Sequence, residues 1–450
     1  MALVALSGAL IAADAKAYVP TSNNSVIVID TVTNAIVATI DVGDSCEIAA
    51  VTPDQSKVYV ALDGGSVAVI DTATDTLITT VAVGGLPLDL AINASGTEVY
   101  VPNFSTGDVS VISTATNAVI ATVTVGAAPG FVVITPNGTA YILNNNSVSV
   151  ISPTTHAVIA TVAVSTSPIS IAASPDGSHV YVGNGAGFNN VSVISTASNS
   201  VVATVDVGQA PEYIALTPVT GAFAYVENSL GNSVSVIDTA INSVVATIDL
   251  GAGTGPVFAI FHGTDLYVSD RSTNQVSVIS TTSNTVTATI GVGAGPQGSA
   301  ITPDGSEVYV TNLSNPSPSV SVISTASNAV IATIPFATGS FPFNVVIAGG
   351  SSPSPAPSSP TSASAKAEHD IFLSEADYFI VLKWSASPST DVTHYLIFRD
   401  GKQIGSVSSS APLTFEDHNR KKGKTYTYGI VAVNSSGFES DPVTVTIKAH

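Results

Sequence analysis

Residues 305–334 read GSEVYVTNLSNPSPSVSVISTASNAVIATI, and this stretch decides the fold. It holds three runs rich in β-branched residues, EVYVTN, SVSVIS and NAVIATI, and the first two alternate apolar and polar side chains. Such alternation is typical of β-strands with one buried face, and no run shows the helical period of about 3.6 residues. The stretch therefore predicts consecutive strands joined by short turns.

The same phrase occurs eight times along the chain. The first valine of V-x-V-I recurs at spacings between 39 residues (Val109 to Val148) and 44 residues (Val276 to Val320). A repeat of about 40–45 residues with four strands is typical of a β-propeller blade. The tyrosine of YV or YI marks the same eight copies, at Tyr18, Tyr59, Tyr100, Tyr141, Tyr181, Tyr225, Tyr267 and Tyr309.

In most copies an asparagine stands at the same distance after the V-x-V-I run, as Asn328 does at the end of STASN. Asp75 and His156 fill this place in two copies. Asparagine tolerates the left-handed backbone that a tight turn needs, so we interpret the position as a turn and not as a ligand site.

These motifs, together with VxATI/V, V-G-x-x-P and TPDG, resemble the YVTN-family β-propeller repeat over residues 16–350. The resemblance implies a secreted or surface-exposed protein, and many members have seven blades. Here the eight copies predict an all-β, eight-bladed propeller, with seven blades as the alternative.

Ring closure follows from the ends of the repeat region. The first copy lacks an innermost strand, and residues 343–348 supply one after the last copy, so we predict that the C-terminal strand closes the propeller. Residues 1–15 form a short apolar run that ends in an A-x-A cleavage pattern, so we predict a signal peptide there. Because the run lacks the usual positive region, we expect the true start of this signal peptide to lie upstream. In the competing interpretation, residues 3–11 form the missing strand.

A second module follows a Pro/Ser-rich linker at residues 351–367. Residues 368–450 resemble a fibronectin type III domain, an immunoglobulin-like β-sandwich, through Trp384 in VLKWSAS and KTYTYGIVAVNSSGFES. Within that resemblance, Tyr426 takes the tyrosine-corner position. The basic run RKKGK (420–424) is interpreted as a solvated loop.

Composition excludes several partners. Net charge is −20, and residues 16–350 carry three cationic side chains (Lys16, Lys57 and Arg271) against 21 Asp and Glu. This argues against nucleic acid and against an anionic membrane surface. Charged residues form only 10% of the chain, so uncharged polar groups must hydrate the surface, as is common outside cells. We predict a secreted or cell-surface protein with no membrane span.

No catalytic constellation is visible. The chain has one cysteine, Cys46, and lacks H-E-x-x-H and G-x-S-x-G, so we predict no metal site, no cofactor and no catalytic residues. Propellers usually bind through loops around the central channel. Residues there that depart from the repeat are the candidate binding residues: Glu47, Asp89, Glu212, Tyr213, Asp270, Arg271, Phe104 and Phe188.

Two functions are compatible with these observations. We favour a non-catalytic binding or structural protein whose propeller loops contact a protein, a glycan or copies of the chain, with the second module as spacer or docking unit. A polymerising surface layer or filament is its sharper form. The alternative is a propeller hydrolase, lactonase-like or carbohydrate-active, with its site at the channel mouth.

Overall fold

The computed structural model describes residues 15–185, 187–349, 358–372, 375–389, 392–409, 411–434, 440 and 442–449. The chain divides into two compact units, residues 1–350 and 351–450. In these ranges every regular element is a β-strand, and no helix is present that could cross a membrane. The predicted signal peptide, apart from Ala15, and residues 351–357 of the predicted linker lie outside the described residues.

The first half of unit 1 contains short strands of similar length. They are β1 (Lys16–Thr21), β2 (Ser25–Asp30), β3 (Ala35–Asp41), β4 (Cys46–Val51), β5 (Lys57–Leu62), β6 (Ser66–Asp71), β7 (Thr76–Ala82), β8 (Ala91–Ile92), β9 (Glu98–Asn103), β10 (Asp108–Ser113), β11 (Ala118–Thr124), β12 (Phe131–Ile134), β13 (Ala140–Leu143), β14 (Ser147–Ile151), β15 (Val158–Ala163) and β16 (Pro168–Ala173).

The second half continues the pattern. Its strands are β17 (His179–Asn184), β18 (Asn190–Ser195), β19 (Ser200–Asp206), β20 (Pro211–Leu216), β21 (Phe223–Asn228), β22 (Ser233–Asp238), β23 (Ser243–Asp249), β24 (Pro256–His262), β25 (Asp265–Asp270), β26 (Gln275–Ser280), β27 (Thr285–Gly291), β28 (Pro296–Ile301), β29 (Glu307–Asn312), β30 (Ser319–Ser324), β31 (Ala329–Pro335) and β32 (Val346–Ala348).

Within residues 15–349 these strands form eight four-stranded antiparallel sheets. Seven sheets take consecutive strands, from β4–β7 to β28–β31, whereas the remaining sheet has the order β3-β2-β1-β32. Tyr18 of β1 pairs with Val346 of β32, so the end of the unit completes the sheet that its beginning starts. This pairing agrees with the predicted closure by the C-terminal strand.

Burial separates the four strands of each sheet. The second and third strands are buried along most of their length, as in β29 and β30, because both of their faces pack on neighbouring sheets. The fourth strands are exposed or half-buried apart from one buried position, as in β31, and the first strands mix buried and half-buried positions, as in β28. The apolar core therefore lies between sheets.

The repeated tyrosine links neighbouring sheets. Tyr59 Oη donates to Oδ1 of Asn117 at 2.8 Å, in the turn of the next sheet, and Tyr267 Oη donates to Asn328 Oδ1 at 2.6 Å. Tyr309, in the last complete repeat, donates to Asn34 in the first. The turn asparagines have left-handed backbone, with φ of 54° at Asn34, as do Asp75 and His156. This confirms their interpretation as turn residues.

The asparagine that ends the second strand is a buried structural residue. Asn312 Nδ2 donates to Ser319 Oγ at 3.1 Å and to Ser321 Oγ at 2.9 Å, both on β30. A Cβ at Gly293 would lie 2.5 Å from Asn312 Cγ, so this side chain requires the glycine of V-G-x-x-P. The same pair occurs at Asn228 and Gly208. The glycine of V-G-x-x-P and the asparagine that ends the second strand therefore pack against each other, although they are distant in the repeat.

Unit 2 has two antiparallel sheets. Its strands are β33 (Ser362–Phe372), β34 (Glu375–Ser385), β35 (Val392–Arg399), β36 (Lys402–Ser408), β37 (Thr414–Asp417), β38 (Thr425–Asn434) and β39 (Val443–Lys448), in the orders β33-β34-β37 and β36-β35-β38-β39. Since β33 begins at Ser362, the predicted linker is strand from there onward. Trp384 and Tyr395 pack edge to face in the core, with ring centroids 5.7 Å apart.

Candidate functional site

A cavity of about 570 Å³ lies among the innermost segments of all eight sheets of unit 1. A volume of this size is ordinary for a small-molecule site. The apolar and aromatic part of its lining consists of Ile48, Ala49, Leu90, Phe131, Val132, Pro168, Ile169, Ile171, Val257, Phe258 and Phe343. The polar part consists of Asp89, Ser170, Glu212, Tyr213, Gln297 and Asn344.

A second cavity of about 470 Å³ follows the same innermost strands and shares Ile171 and Tyr213 with the first. Its other lining residues are apolar. The first cavity therefore has acidic groups in its lining, whereas the second has no charged group in its lining.

Asp89 is the acidic residue with the best-defined geometry in the first cavity. Its side chain accepts hydrogen bonds from Leu90 N and Val132 N, each at 2.9 Å, which fix the carboxylate between two sheets. Burial raises its pKa to about 7, and the two backbone donors only partly offset this effect. Asp89 therefore changes charge near neutral pH.

Tyr213 packs on the ring of Phe258 from the next sheet, with centroids 4.4 Å apart. Its pKa is raised by burial and by the charges of Glu227 and Asp89, so its hydroxyl keeps its proton. Glu227 stands opposite Tyr213 across the strand pair. Glu227 is fully buried, and neither carboxyl oxygen has a hydrogen-bond partner among the described residues. Burial raises the Glu227 pKa well above its usual range, which favours the neutral acid.

Two further acceptors belong to the cavity lining. Gln297 Oε1 and Asn344 Oδ1 are both buried and lack hydrogen-bond partners in the described part of the chain. Buried polar atoms are nearly always paired in folded proteins, by protein groups, water or ligand. The cavity thus offers the Asp89 carboxylate as an acceptor to a molecule that donates hydrogen bonds, whereas the two amide oxygens are enclosed by the protein.

The structure brings together three of the predicted binding residues, Asp89, Glu212 and Tyr213, in this cavity. Glu47 is adjacent to the lining residue Ile48 and is half-buried, and its pKa is raised by burial and by the charge of Asp63. The loop residues Arg271, Phe104 and Phe188 are exposed and do not line the cavity.

Asp270 does not line the cavity either. It takes the place that Asn312 has in its own sheet, where it is fully buried and accepts a 2.6 Å hydrogen bond from Ser277 Oγ. Burial raises its pKa to about 7. Asp270 therefore does not face the cavity, because a carboxyl group in this structural asparagine position is buried against the neighbouring strand.

Sequence reasoning missed Phe131, Phe258, Gln297 and Asn344 as lining residues. The signal that could have found them is position. Phe131, Tyr213 and Phe258 each stand two residues after a repeated proline, as does Asn344 after Pro342, and Gln297 follows the corresponding proline directly. Among the residues that the structure describes, no group of three or more His, Cys, Asp or Glu is placed to hold a metal ion.

No family model matches the chain, and no curated protein matches it. Solved structures with a similar fold exist. Dihydro-heme d1 dehydrogenase NirN in complex with DHE superimposes with a TM-score of 0.63 at 15% identity, covering 74% of this chain and 75% of NirN. AztD from Citrobacter koseri gives 0.59 at 14%, over 75% and 99%. Hydrazine synthase from Kuenenia stuttgartiensis gives 0.51 at 25%, over 62% and 95%.

These neighbours show the class of the fold: the chain contains an all-β, propeller-like unit of repeated four-stranded antiparallel sheets. They also overturn the function expected from the sequence. We expected a structural or adhesive surface protein, and this was wrong: NirN, one of these neighbours, is a dehydrogenase solved in complex with DHE.

Proposed function

We propose that the propeller binds a small organic cation, an amine with an apolar body, in the 570 Å³ cavity. The observation that carries the proposal is the position of Asp89, whose carboxylate is fixed by two backbone donors among aromatic and aliphatic side chains. Among the lining residues, both charged groups, Asp89 and Glu212, are acidic. An anionic ligand would meet only repulsion there.

Each part of such a ligand has a matching part of the cavity. The ammonium group pairs with the Asp89 carboxylate in a charge-assisted hydrogen bond. The rings of Phe131, Tyr213 and Phe258 offer faces to the cation and apolar surface to its body. Binding of this kind needs no catalysis, and the absence of an enzymatic activity stays a prediction.

Proton uptake by Asp89 makes the binding pH-dependent. Since the Asp89 pKa is about 7, its charge is lost as pH falls through neutrality. Affinity for an amine is therefore expected to rise between about pH 6 and about pH 8, by about fivefold if the ion pair contributes about 1.4 kcal/mol. A neutral ligand with the same body should bind with nearly constant affinity over that range.

The test uses matched ligands that share a body and differ in charge. Tryptamine, tryptophol and indole-3-propionate form one set, and phenethylamine, 2-phenylethanol and 3-phenylpropionate another. Calorimetry or ligand-observed NMR should give the tightest binding for the amine and the weakest for the carboxylate. If the amines bind no more tightly than the alcohols, the cation preference is refuted.

Three variants locate the binding. Asp89→Asn should remove the preference for amines and its pH dependence while retaining weak binding of the alcohols. Ile48→Phe should weaken all ligands by reducing the cavity, because Phe131, Tyr213 and Phe258 show that the corresponding position accepts an aromatic ring. Phe188→Ala, in an exposed loop, is the control and should bind as the wild type does. Equal binding by Ile48→Phe and wild type would refute binding in this cavity.

We further propose that the eight sheets are the blades of one closed ring of YVTN-type repeats, and that unit 2 is a fibronectin type III domain. The ring is supported by the β1–β32 pairing and by the Tyr309–Asn34 hydrogen bond. The second assignment is supported by the core around Trp384 and by Tyr426 Oη, which accepts a hydrogen bond from Lys421 N at 3.0 Å, as in a tyrosine corner.

Export from the cytoplasm stays a proposal that rests on the uncharged polar surface. Fractionation of cells tests it.

A further inference from the structure

Unit 2 contains a cavity of about 400 Å³ with cationic walls. We call it the cationic cavity, because its lining includes five basic side chains: Arg399, Lys402, Arg420, Lys421 and Lys424. They come from the end of β35, the start of β36 and the turn before β38. Residues 16–350 carry only three cationic side chains in all, so this concentration of positive charge is local to unit 2.

Acidic neighbours compensate only part of this charge. Arg399 Nη1 donates to both oxygens of Asp417, at 2.9 and 3.0 Å, and Arg420 Nε lies 3.5 Å from Asp417 Oδ2. Among the described residues Lys402, Lys421 and Lys424 form no ion pair. The lining also contains Asp400, which accepts a hydrogen bond from Thr427 N. Bringing ammonium groups together without counter-charges costs free energy, which an anion in the cavity would recover.

Two of the basic side chains lie against a buried aromatic ring. Tyr426 is almost fully buried, and its ring lies 5.5 Å from the Arg420 guanidinium and 4.7 Å from Lys424 Nζ. Its hydroxyl accepts a hydrogen bond from Lys421 N. Gly423 N and Ala449 N add backbone hydrogen bonds that tie this turn to the end of the chain. Arg420 and Lys424 are thus placed near one another by the same aromatic ring.

We propose that the cationic cavity binds a compact oxyanion, the phosphate or sulfate group of a small molecule or of an ester. Three ammonium groups and the remaining N–H donors of two guanidiniums suit the tetrahedral set of acceptor oxygens in these groups. A carboxylate offers two oxygens and one charge and should bind more weakly. This site is independent of the channel cavity in unit 1 and serves a ligand of opposite charge.

The test measures binding to the full chain at constant ionic strength. Calorimetry or NMR titration with inorganic phosphate, inorganic sulfate and acetate should show binding of the first two and weaker binding of acetate. A sugar phosphate and a sugar sulfate separate the sources, since tighter binding of one of them than of its free ion identifies an ester as the ligand. Failure of every phosphate and sulfate probe to bind would overturn the proposal.

Matched triple variants separate a defined site from general charge attraction. Lys402→Gln, Lys421→Gln and Lys424→Gln together should weaken phosphate or sulfate binding by about tenfold or more. The control removes the same charge from exposed lysines outside the cavity, by Lys366→Gln, Lys383→Gln and Lys448→Gln. It should change affinity less than about twofold. Equal losses in the two triples would refute a specific site, and circular dichroism of both verifies that they fold.

Discussion

Replacing Asp270 with asparagine tests whether the buried residue that ends the second strand of each sheet must be a hydrogen-bond donor for full stability. In five other sheets the corresponding residue is an asparagine whose amide donates to a serine hydroxyl on the third strand, the residues being Asn103, Asn144, Asn184, Asn228 and Asn312. Asp270 can only accept when ionised. Ser277 Oγ donates to its Oδ2, and Oδ1 has no partner in the described structure.

The magnitude follows from the Asp270 pKa. Burial raises it from 3.8 to about 7, so the folded state binds a proton more tightly than the unfolded state does. The penalty is therefore absent at low pH and grows as pH rises through this interval. Linkage gives about 2 kcal/mol of destabilisation at about pH 5 and about 4 kcal/mol at about pH 8. Asp270→Asn removes the titrating group and restores a donor for Ser277.

The assay is urea unfolding of wild type and Asp270→Asn across the same pH range. The difference in free energy of unfolding should increase by about 2–3 kcal/mol between about pH 5 and about pH 8, in favour of the variant. Other carboxyl groups titrate in both proteins, so their contributions cancel in the difference. Unit 2 unfolds separately if the two units are independent, and a probe specific to unit 1 is then required.

The reverse change supplies the control. Asn228→Asp places a carboxyl group in the same position of the preceding sheet, beside Ser233 and Ser235. It should destabilise unit 1 more strongly at high pH than at low pH. If the Asp270→Asn difference does not vary with pH, Asp270 is not ionised in a buried site, and the reasoning from burial is refuted.

Three other substitutions or reactions test the packing. Tyr59→Phe removes the hydrogen bond to Asn117 in the next sheet and should cost about 1 kcal/mol of unfolding free energy, measured by denaturation; no loss would contradict the linking role. Glu227→Leu replaces a buried, unpaired acid with the residue found at Leu143 and should stabilise unit 1, and a lower melting temperature would show that the acid has an unseen partner. Burial raises the pKa of the Cys46 thiol to about 12, so a thiol reagent should label it only in denaturant, and fast labelling of the native chain would disprove its burial.

The propeller-like fold could be predicted from the sequence because each repeat carries its own strand and turn signals. Tyr309 and Asn312 recur in register with the valines of V-x-V-I, and the regular spacing leaves little choice of architecture. What the sequence does not show is that Asn312 meets Ser319 and Ser321, and that Gly293 makes room for it. Those contacts depend on how adjacent strands align in space.

The two candidate sites could be predicted only in part, for different reasons. Asp89 and Tyr213 were found because they depart from the repeat. Arg399 and Lys402 were not, since they are separated along the chain from the 420–424 run that they face. That run was interpreted as a solvated loop, an interpretation that considers one segment at a time. A site built by two distant segments needs a structure to bring them together.

Departure from the repeat has two physical meanings in this protein. At Asp270 the repeat prescribes a buried asparagine, so the departure changes stability and pH response without reaching the cavity. At Asp89 and Gln297 the repeat prescribes no residue, because the side chains face the space between sheets, where packing imposes no common shape. Ligand-binding residues should therefore be sought where the repeats agree least and the scaffold constrains least. A deviation at a position that the scaffold fixes should be tested first for its effect on folding stability. Unfolding of the Asp270→Asn and Asn228→Asp variants measures that effect separately from ligand binding.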